Sequence, residues 1–202
     1  LSLVSKRMEV KKKDLILMSQ THSERVFEIK KNNYRKKIHS DAIITRRNKI
    51  ALGVVTADCV PILIYDKENK IVGCIHAGWK GAFLGIIENT VSRIRRISSK
   101  SQIYASVGPC IGKKNYEVDI TFFKRFIKKS KKNKKYFSKK NKLKFLFNLR
   151  KFVADKLLGL KIIVDHVNHD TFEEKNNFFS YRRSYKLNQS DYGRCISVIR
   201  LI

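Results

Sequence analysis

The stretch Thr56–Lys80 reads TADCVPILIYDKENKIVGCIHAGWK, and its reading decides the fold. Val60–Tyr65 is a short, largely β-branched run opened by Pro61, which suits the start of a buried strand. Lys67–Lys70 is polar, and Ile71–Ile75 is a second strand-like run. Two such runs with a short polar connection predict a hairpin. The hairpin brings Cys59, just before the first strand, close to His76, just after the second. A thiolate and an imidazole held side by side are either a metal site or a nucleophile with its base. A lone cysteine is usually a small buried hydrophobe, so the flanks matter. Ala77, Gly78 and Gly81 are small enough to let backbone approach a ligand, and a helical run follows them.

Outward from the hairpin, Leu15–Met18 and the Val26–Ile29 segment read as strands, with His22 at the corner between them. Asn32–Lys37 is a polar connection, Ser40–Thr45 is strand-like, and Ile50–Val55 is a strand leading to the Asp58-Cys59 corner. Gly81–Ile97 carries Phe83, Leu84, Ile87, Val91 and Ile94 at helical spacing, with arginines favouring its C-terminal end. Gln102–Val107 is a strand ended by the turn Gly108–Gly112. Ile120–Lys129 and Leu143–Leu158 are expected as amphipathic helices. Lys161–Val164, Phe178–Arg183 and Cys195–Ile202 are expected as strands. The pattern predicts an α+β fold, a single domain over 1–202 with mixed β-sheets flanked by helices.

The chain has 202 residues and 43% hydrophobic content, enough for one sizeable core. No apolar run approaches the roughly 20 residues of a membrane span, and the start LSLVSKRMEVKKK has no signal-peptide pattern. Cys59, Cys74, Cys110 and Cys195 are widely spaced, which argues for reduced thiols and a cytoplasmic protein. The net charge of +28 invites a nucleic-acid reading. Its basic residues run along the whole chain, and the densest run, Lys124–Lys144, is interrupted by Phe126, Ile127, Tyr136 and Phe137, so it reads as amphipathic helix and loop. Non-specific polyanion binding at low salt is expected, with no specific nucleic-acid partner and no membrane partner.

Six short motifs, taken together, carry a resemblance. They are Gln20-Thr21-His22-Ser23, Ser40-Asp41-Ala42, Thr56-Ala57-Asp58-Cys59-Val60-Pro61, His76-Ala77-Gly78-Trp79-Lys80-Gly81, Gly108-Pro109-Cys110-Ile111-Gly112 with Tyr116-Glu117-Val118, and Phe178-Phe179-Ser180-Tyr181-Arg182-Arg183 closing with Gly193-Arg194. In order and spacing the chain resembles the YfiH/YlmD-like polyphenol oxidase (laccase-domain) family, viewed as purine nucleoside phosphorylases. The resemblance implies a zinc site from two His and one Cys, which fall on His22, Cys59 and His76; copper is the other metal considered. It also implies phosphorolysis of adenosine, inosine and related nucleosides, together with adenosine deamination. The family usually has further sequence before the first of these motifs, so the chain is expected to lack the first strands of the domain.

Three ligands leave a fourth position for water or substrate, as in a catalytic zinc site. Zinc makes a bound water acidic enough for attack at C6 of adenine. Asp58 is the candidate proton carrier, its other role being to orient a metal-bound histidine. Lys80, Arg182 and Arg183 are the candidate cationic groups for phosphate, and Tyr181 is a candidate to stack on a base. The rival readings are a cysteine hydrolase with Cys59 as nucleophile and His76 as base, and a copper-dependent polyphenol oxidase. A role in editing peptidoglycan precursors is a further implication of the resemblance, and oligomeric state has no signal in the sequence.

Overall fold

The computed structural model describes residues 1–31, 33–34, 37–97 and 102–202. Helix α1 (Ser2–Arg7) precedes strands β1 (Leu15–Leu17), β2 (Val26–Ile29), β3 (Ala42–Thr45) and β4 (Ala51–Thr56). The hairpin β5 (Val60–Asp66) and β6 (Ile71–Ala77) leads into α2 (Trp79–Leu84), α3 (Ile86–Ile97) and β7 (Ile103–Val107). Next come β8 (Glu117–Asp119), α4 (Ile120–Lys129), β9 (Phe137–Lys139), β10 (Lys144–Phe147) and α5 (Leu149–Gly159). Strand β11 (Ile163–His166), helix α6 (Tyr181–Lys186) and strand β12 (Cys195–Arg200) complete the order. The polar connection expected at 32–37 lies partly outside the described residues.

The predicted hairpin is the centre of a six-stranded mixed sheet, β11-β7-β5-β6-β3-β2. Its antiparallel register sets Pro61 opposite His76 and Val60 opposite Ala77, so Cys59 and His76 share one end of the sheet. Side chains alternate between the two faces, as the pleat requires. Ile62, Ile64, Ile71 and Ile75 join the larger core, which α3 and α5 cover with Ile87, Val91, Phe152 and Leu157. Ile43, Val72 and Cys74 face the other way, into a second core with Ile50, Leu52 and Val54. That second layer is a three-stranded sheet, β1-β4-β12. The central sheet is therefore buried on both faces, which explains why its strands are almost continuously apolar. No helix among the described residues is long and apolar enough to cross a membrane.

Three expected elements differ. The helix expected over Gly81–Ile97 is two helices, because Gly85 adopts φ 121°, a backbone region that ends α2 and that only glycine enters freely. The helix expected over Leu143–Leu158 begins only at Leu149; its first part is β10, paired with β8 and β9. Burial of Phe145 and Phe147 within an aromatic cluster around Phe126 outweighs helical spacing there. The lysine-rich run correspondingly contains strand β9 as well as helix. Asn148 is the switch point: its Oδ1 accepts from Lys151 N at 3.0 Å and caps α5. Asn148→Ala is expected to cost about 1 kcal/mol in urea unfolding; an unchanged midpoint would show that the cap contributes nothing. The closing strand expected at Phe178–Arg183 is in fact helix α6 from Tyr181, because Ser180 caps it by accepting from Arg183 N at 3.2 Å.

Candidate metal centre

His22, Cys59 and His76 offer ligand atoms that all lie within 4.8 Å of one another, the one such cluster of His, Cys, Asp and Glu among the described residues. The three arrive by different routes. Cys59 and His76 come from the hairpin register. His22 comes from the loop joining β1, in the three-stranded sheet, to β2, in the six-stranded sheet. Cys59 Sγ is 3.6 Å from His22 Nε2, and the two imidazoles meet edge to face with centroids 4.7 Å apart. His22 reaches the surface, Cys59 is half-buried and His76 is buried.

One carboxylate builds this arrangement. Asp41 is fully buried at the start of β3. It accepts from the backbone N–H of Thr21 (3.2 Å), His22 (3.0 Å) and Ser23 (2.7 Å), and from Ser23 Oγ (2.6 Å). Three successive amides around one anion form a nest, and the nest holds His22 in a left-handed conformation, φ 56°. Asp41 Oδ1 also meets His76 Nδ1 at 2.8 Å. Burial by itself would raise the Asp41 carboxyl, but the bonds from His76 and Ser23 outweigh it and hold the group well below the usual carboxylate range. A carboxylate has no proton to give, so His76 Nδ1 donates to it, and Nε2 is the ring nitrogen left for a metal. Gln20 pins the other side of the loop, donating to Val55 O at 2.8 Å and accepting from Val55 N at 3.0 Å.

The electrostatics suit a neutral His22 imidazole and a thiol awaiting a cation. Desolvation first, and then the neighbouring His76, lower the His22 pKa. Burial first, and then Asp58, push the Cys59 thiol up to about 12. Backbone at Gly78 approaches both: a Cβ there would lie 2.6 Å from His22 Cδ2 and 3.0 Å from Cys59 Sγ. Two imidazoles and one sulfur in such a cradle are the donor set of a zinc-type site with an open position, so the residues fit a metal ion.

The cluster forms one wall of a cavity of about 650 Å³, whose other walls include Gln20, Asp58, Tyr116, Tyr181, Arg182 and Arg194. Among the described residues Asp58 makes no hydrogen bond to either histidine of the cluster; Asp41 makes the bond to His76 that the sequence reading offered to Asp58. Instead Asp58 accepts from Thr171 Oγ1 and Arg182 N, each at 2.7 Å, and so ties the cavity wall to the start of α6. Arg182 Nη1 donates to Glu117 O at 2.8 Å while its guanidinium stays at the cavity. Arg183 turns away, donating to the carbonyls of Thr171, Phe172 and Phe178. Lys80 is exposed in the first turn of α2, outside the cavity lining, near enough to His22 to lower its pKa. Asp41, Gln20 and Tyr116 stood in the quoted motifs with no role attached; Asp170-Thr171 stands where the resembled family often has Cys-Thr, and no role was attached to it either. Arg194 was visible only as the end of the last motif.

A family model described as multi-copper polyphenol oxidoreductase laccase matches residues 1–202. A Rickettsia conorii protein named purine nucleoside phosphorylase is 34% identical over 94% of this chain and 79% of its own length. A Haemophilus influenzae protein of the same name is 35% identical over 91% of this chain and 73% of its own length. The crystal structure of the Bacillus licheniformis hypothetical protein YfiH superposes with a TM-score of 0.90 at 26% identity, covering all of this chain and 79% of that one.

Proposed function

Since this chain belongs to the multi-copper polyphenol oxidoreductase laccase family, the YfiH family, we propose that it is a zinc-dependent purine nucleoside phosphorylase with adenosine deaminase activity. Adenosine and inosine are its expected substrates, with inorganic phosphate as the second. The observation that carries this reading is a His-Cys-His cluster opening onto a cavity of about 650 Å³, within the usual size range for a small-molecule site.

His22, Cys59 and His76 hold the ion, which supplies Lewis acidity and a positive charge beside the Cys59 sulfur. Asp41 orients His76 and the His22 loop. Asp58 sets the backbone of Arg182, and Arg182 and Arg194, which both line the cavity, are the cations for phosphate. Lys80 adds positive charge at the edge of the site. Arg183 braces the loop under α6, its guanidinium donating to three carbonyls. Tyr181 and Tyr192, with rings 5.1 Å apart at the cavity, provide faces for a flat base.

The cysteine-hydrolase reading fares worse on the same residues. A nucleophilic cysteine needs a lowered pKa, and Cys59 is pushed up to about 12 by burial and by Asp58. A cation at the cluster reverses that. A multi-copper centre would need more ligands than the single cluster found among the described residues.

Product analysis tests the proposal. Metal-quantified protein is incubated with adenosine, with and without phosphate, beside a Cys59→Ala variant. Phosphate-dependent adenine and ribose 1-phosphate are expected, inosine marks the deaminase activity, and Cys59→Ala is expected to lose more than about 100-fold in kcat/KM along with its bound metal. Folded, zinc-loaded protein that yields no product from adenosine or inosine overturns the nucleoside reading.

A further inference from the structure

The positive charge is less evenly spread than the length of the chain suggests. Residues 120–154 hold 14 of the 45 Lys and Arg and none of the 17 Asp and Glu, so half of the +28 net charge sits on that stretch. The structure folds this stretch into one lobe made of α4, the turn after it, the β9–β10 hairpin and the start of α5. All 12 cations from Lys124 to Lys144 are exposed. Among the described residues only Lys135, Lys140 and Lys144 of these pair with an acid, Asp155 or Glu117. The lobe tolerates its own repulsion because its aromatic side chains are packed inward, Phe126 touching Phe122, Phe137, Phe147 and Phe152.

The hairpin tip has a fixed shape. Asn141 Oδ1 accepts from Leu143 N and Lys144 N, both at 2.9 Å, and Lys140 N donates to Lys144 O at 3.0 Å. This turn presents Leu143, 64% exposed, between Lys142 and Lys144. We propose that the lysine-rich lobe, tipped by Leu143, is a docking surface for an anionic phospholipid bilayer. Three features favour lipid over nucleic acid. The charge is lysine, 12 of the 14 cations, a point charge suited to headgroups rather than the planar fork suited to bases and bidentate phosphate contacts. The inward-packed aromatics leave no platform on which bases stack. The one strongly exposed large apolar residue of the lobe sits in the turn between β9 and β10, where it can enter the headgroup boundary. Such attachment is peripheral and reversible and needs no spanning helix, so it departs from the expectation of no membrane partner, which rested on the absence of an apolar run long enough to span.

Flotation of the full chain with vesicles at about 0.1 M salt, where the Debye length is about 10 Å, tests this. Vesicles of phosphatidylcholine alone are expected to leave it in solution, and vesicles with phosphatidylglycerol to carry it up. The variant K131Q/K132Q/K139Q/K142Q, which spares every paired lysine, is expected to lose at least about tenfold in partitioning. Leu143→Ser is expected to lose a further few-fold on top of that. The control K11Q/K12Q/K13Q/K30Q removes the same charge elsewhere and is expected to stay within about twofold. Equal losses in control and lobe variants overturn the proposal in favour of net charge alone. Indifference to anionic vesicles, with retained binding of a 20-nucleotide RNA, overturns it in favour of nucleic acid. Circular dichroism confirms that each variant is folded.

Discussion

Asp41→Ala is expected to lower zinc affinity about 10- to 100-fold, and to cost about 3–5 kcal/mol of stability, although Asp41 is not one of the three ligands. The substitution leaves the amides of Thr21, His22 and Ser23 and the ring N–H of His76 facing a buried void where a carboxylate stood. Unpaired buried donors are expensive, and charge-assisted bonds are the costliest to lose. His22 is also held at φ 56° by that same nest, so its loop is expected to relax toward ordinary backbone angles and carry the imidazole away. Asp41→Asn separates the two effects. It keeps the volume and one acceptor oxygen, but sets an amide NH2 against a wall of donors. Competition with a chelator of known zinc affinity gives the metal term, and urea unfolding with excess chelator gives the stability term. Full zinc affinity in a folded Asp41→Asn protein would show that the two histidines hold their places unaided.

Gly78→Ala is the sharper probe of the same site, because it adds a single methyl group. Gly78 has φ −67° and ψ 161°, angles that alanine adopts without strain, so any effect is steric. The new Cβ would stand 2.6 Å from His22 Cδ2, 3.0 Å from Cys59 Sγ and 3.1 Å from His22 Nε2. One of the two side chains must give way, and overpacking of this kind costs about 1–3 kcal/mol. The expected result is a fall in zinc affinity of about 10- to 100-fold from an outer change that removes no ligand, with only a modest loss of thermal stability. Cobalt substitution offers a direct readout, since a displaced cysteine removes the sulfur-to-cobalt charge-transfer band. An unchanged band and unchanged affinity would mean that the site breathes enough to absorb the methyl group.

Both variants bear on a site assembled from distant parts of the chain, and the parts differ in how readable they were. The hairpin was legible because its causes are local. Apolar runs, a polar turn of four residues and a strict pleat fix which residues end up opposite, and with them the meeting of Cys59 and His76. His22 entered through its motif rather than its surroundings, since the β1–β2 loop crosses between two sheets and only the finished packing brings it home. The helix at Tyr181–Lys186 was misread for a related reason. A short aromatic run has no period long enough to separate strand from helix, and the deciding group was the Ser180 hydroxyl, which accepts from Arg183 N.

By itself the sequence determined the α+β class, the central hairpin and the meeting of Cys59 with His76, and His22 joined them through the family resemblance. Only the tertiary structure decided what orients them. It assigned the histidine's partner to Asp41 rather than Asp58, turned Arg183 to a structural task while leaving Arg182 at the cavity, and gathered the lysines of 120–154 on one lobe. The physical reason is range. Alternation, turns and caps act over a few residues and are written in consecutive letters. The Asp41 nest closes over loops of 18 to 35 residues, and the Asp58 bonds over 113 and 124, separations at which a contact exists only once the whole core has formed.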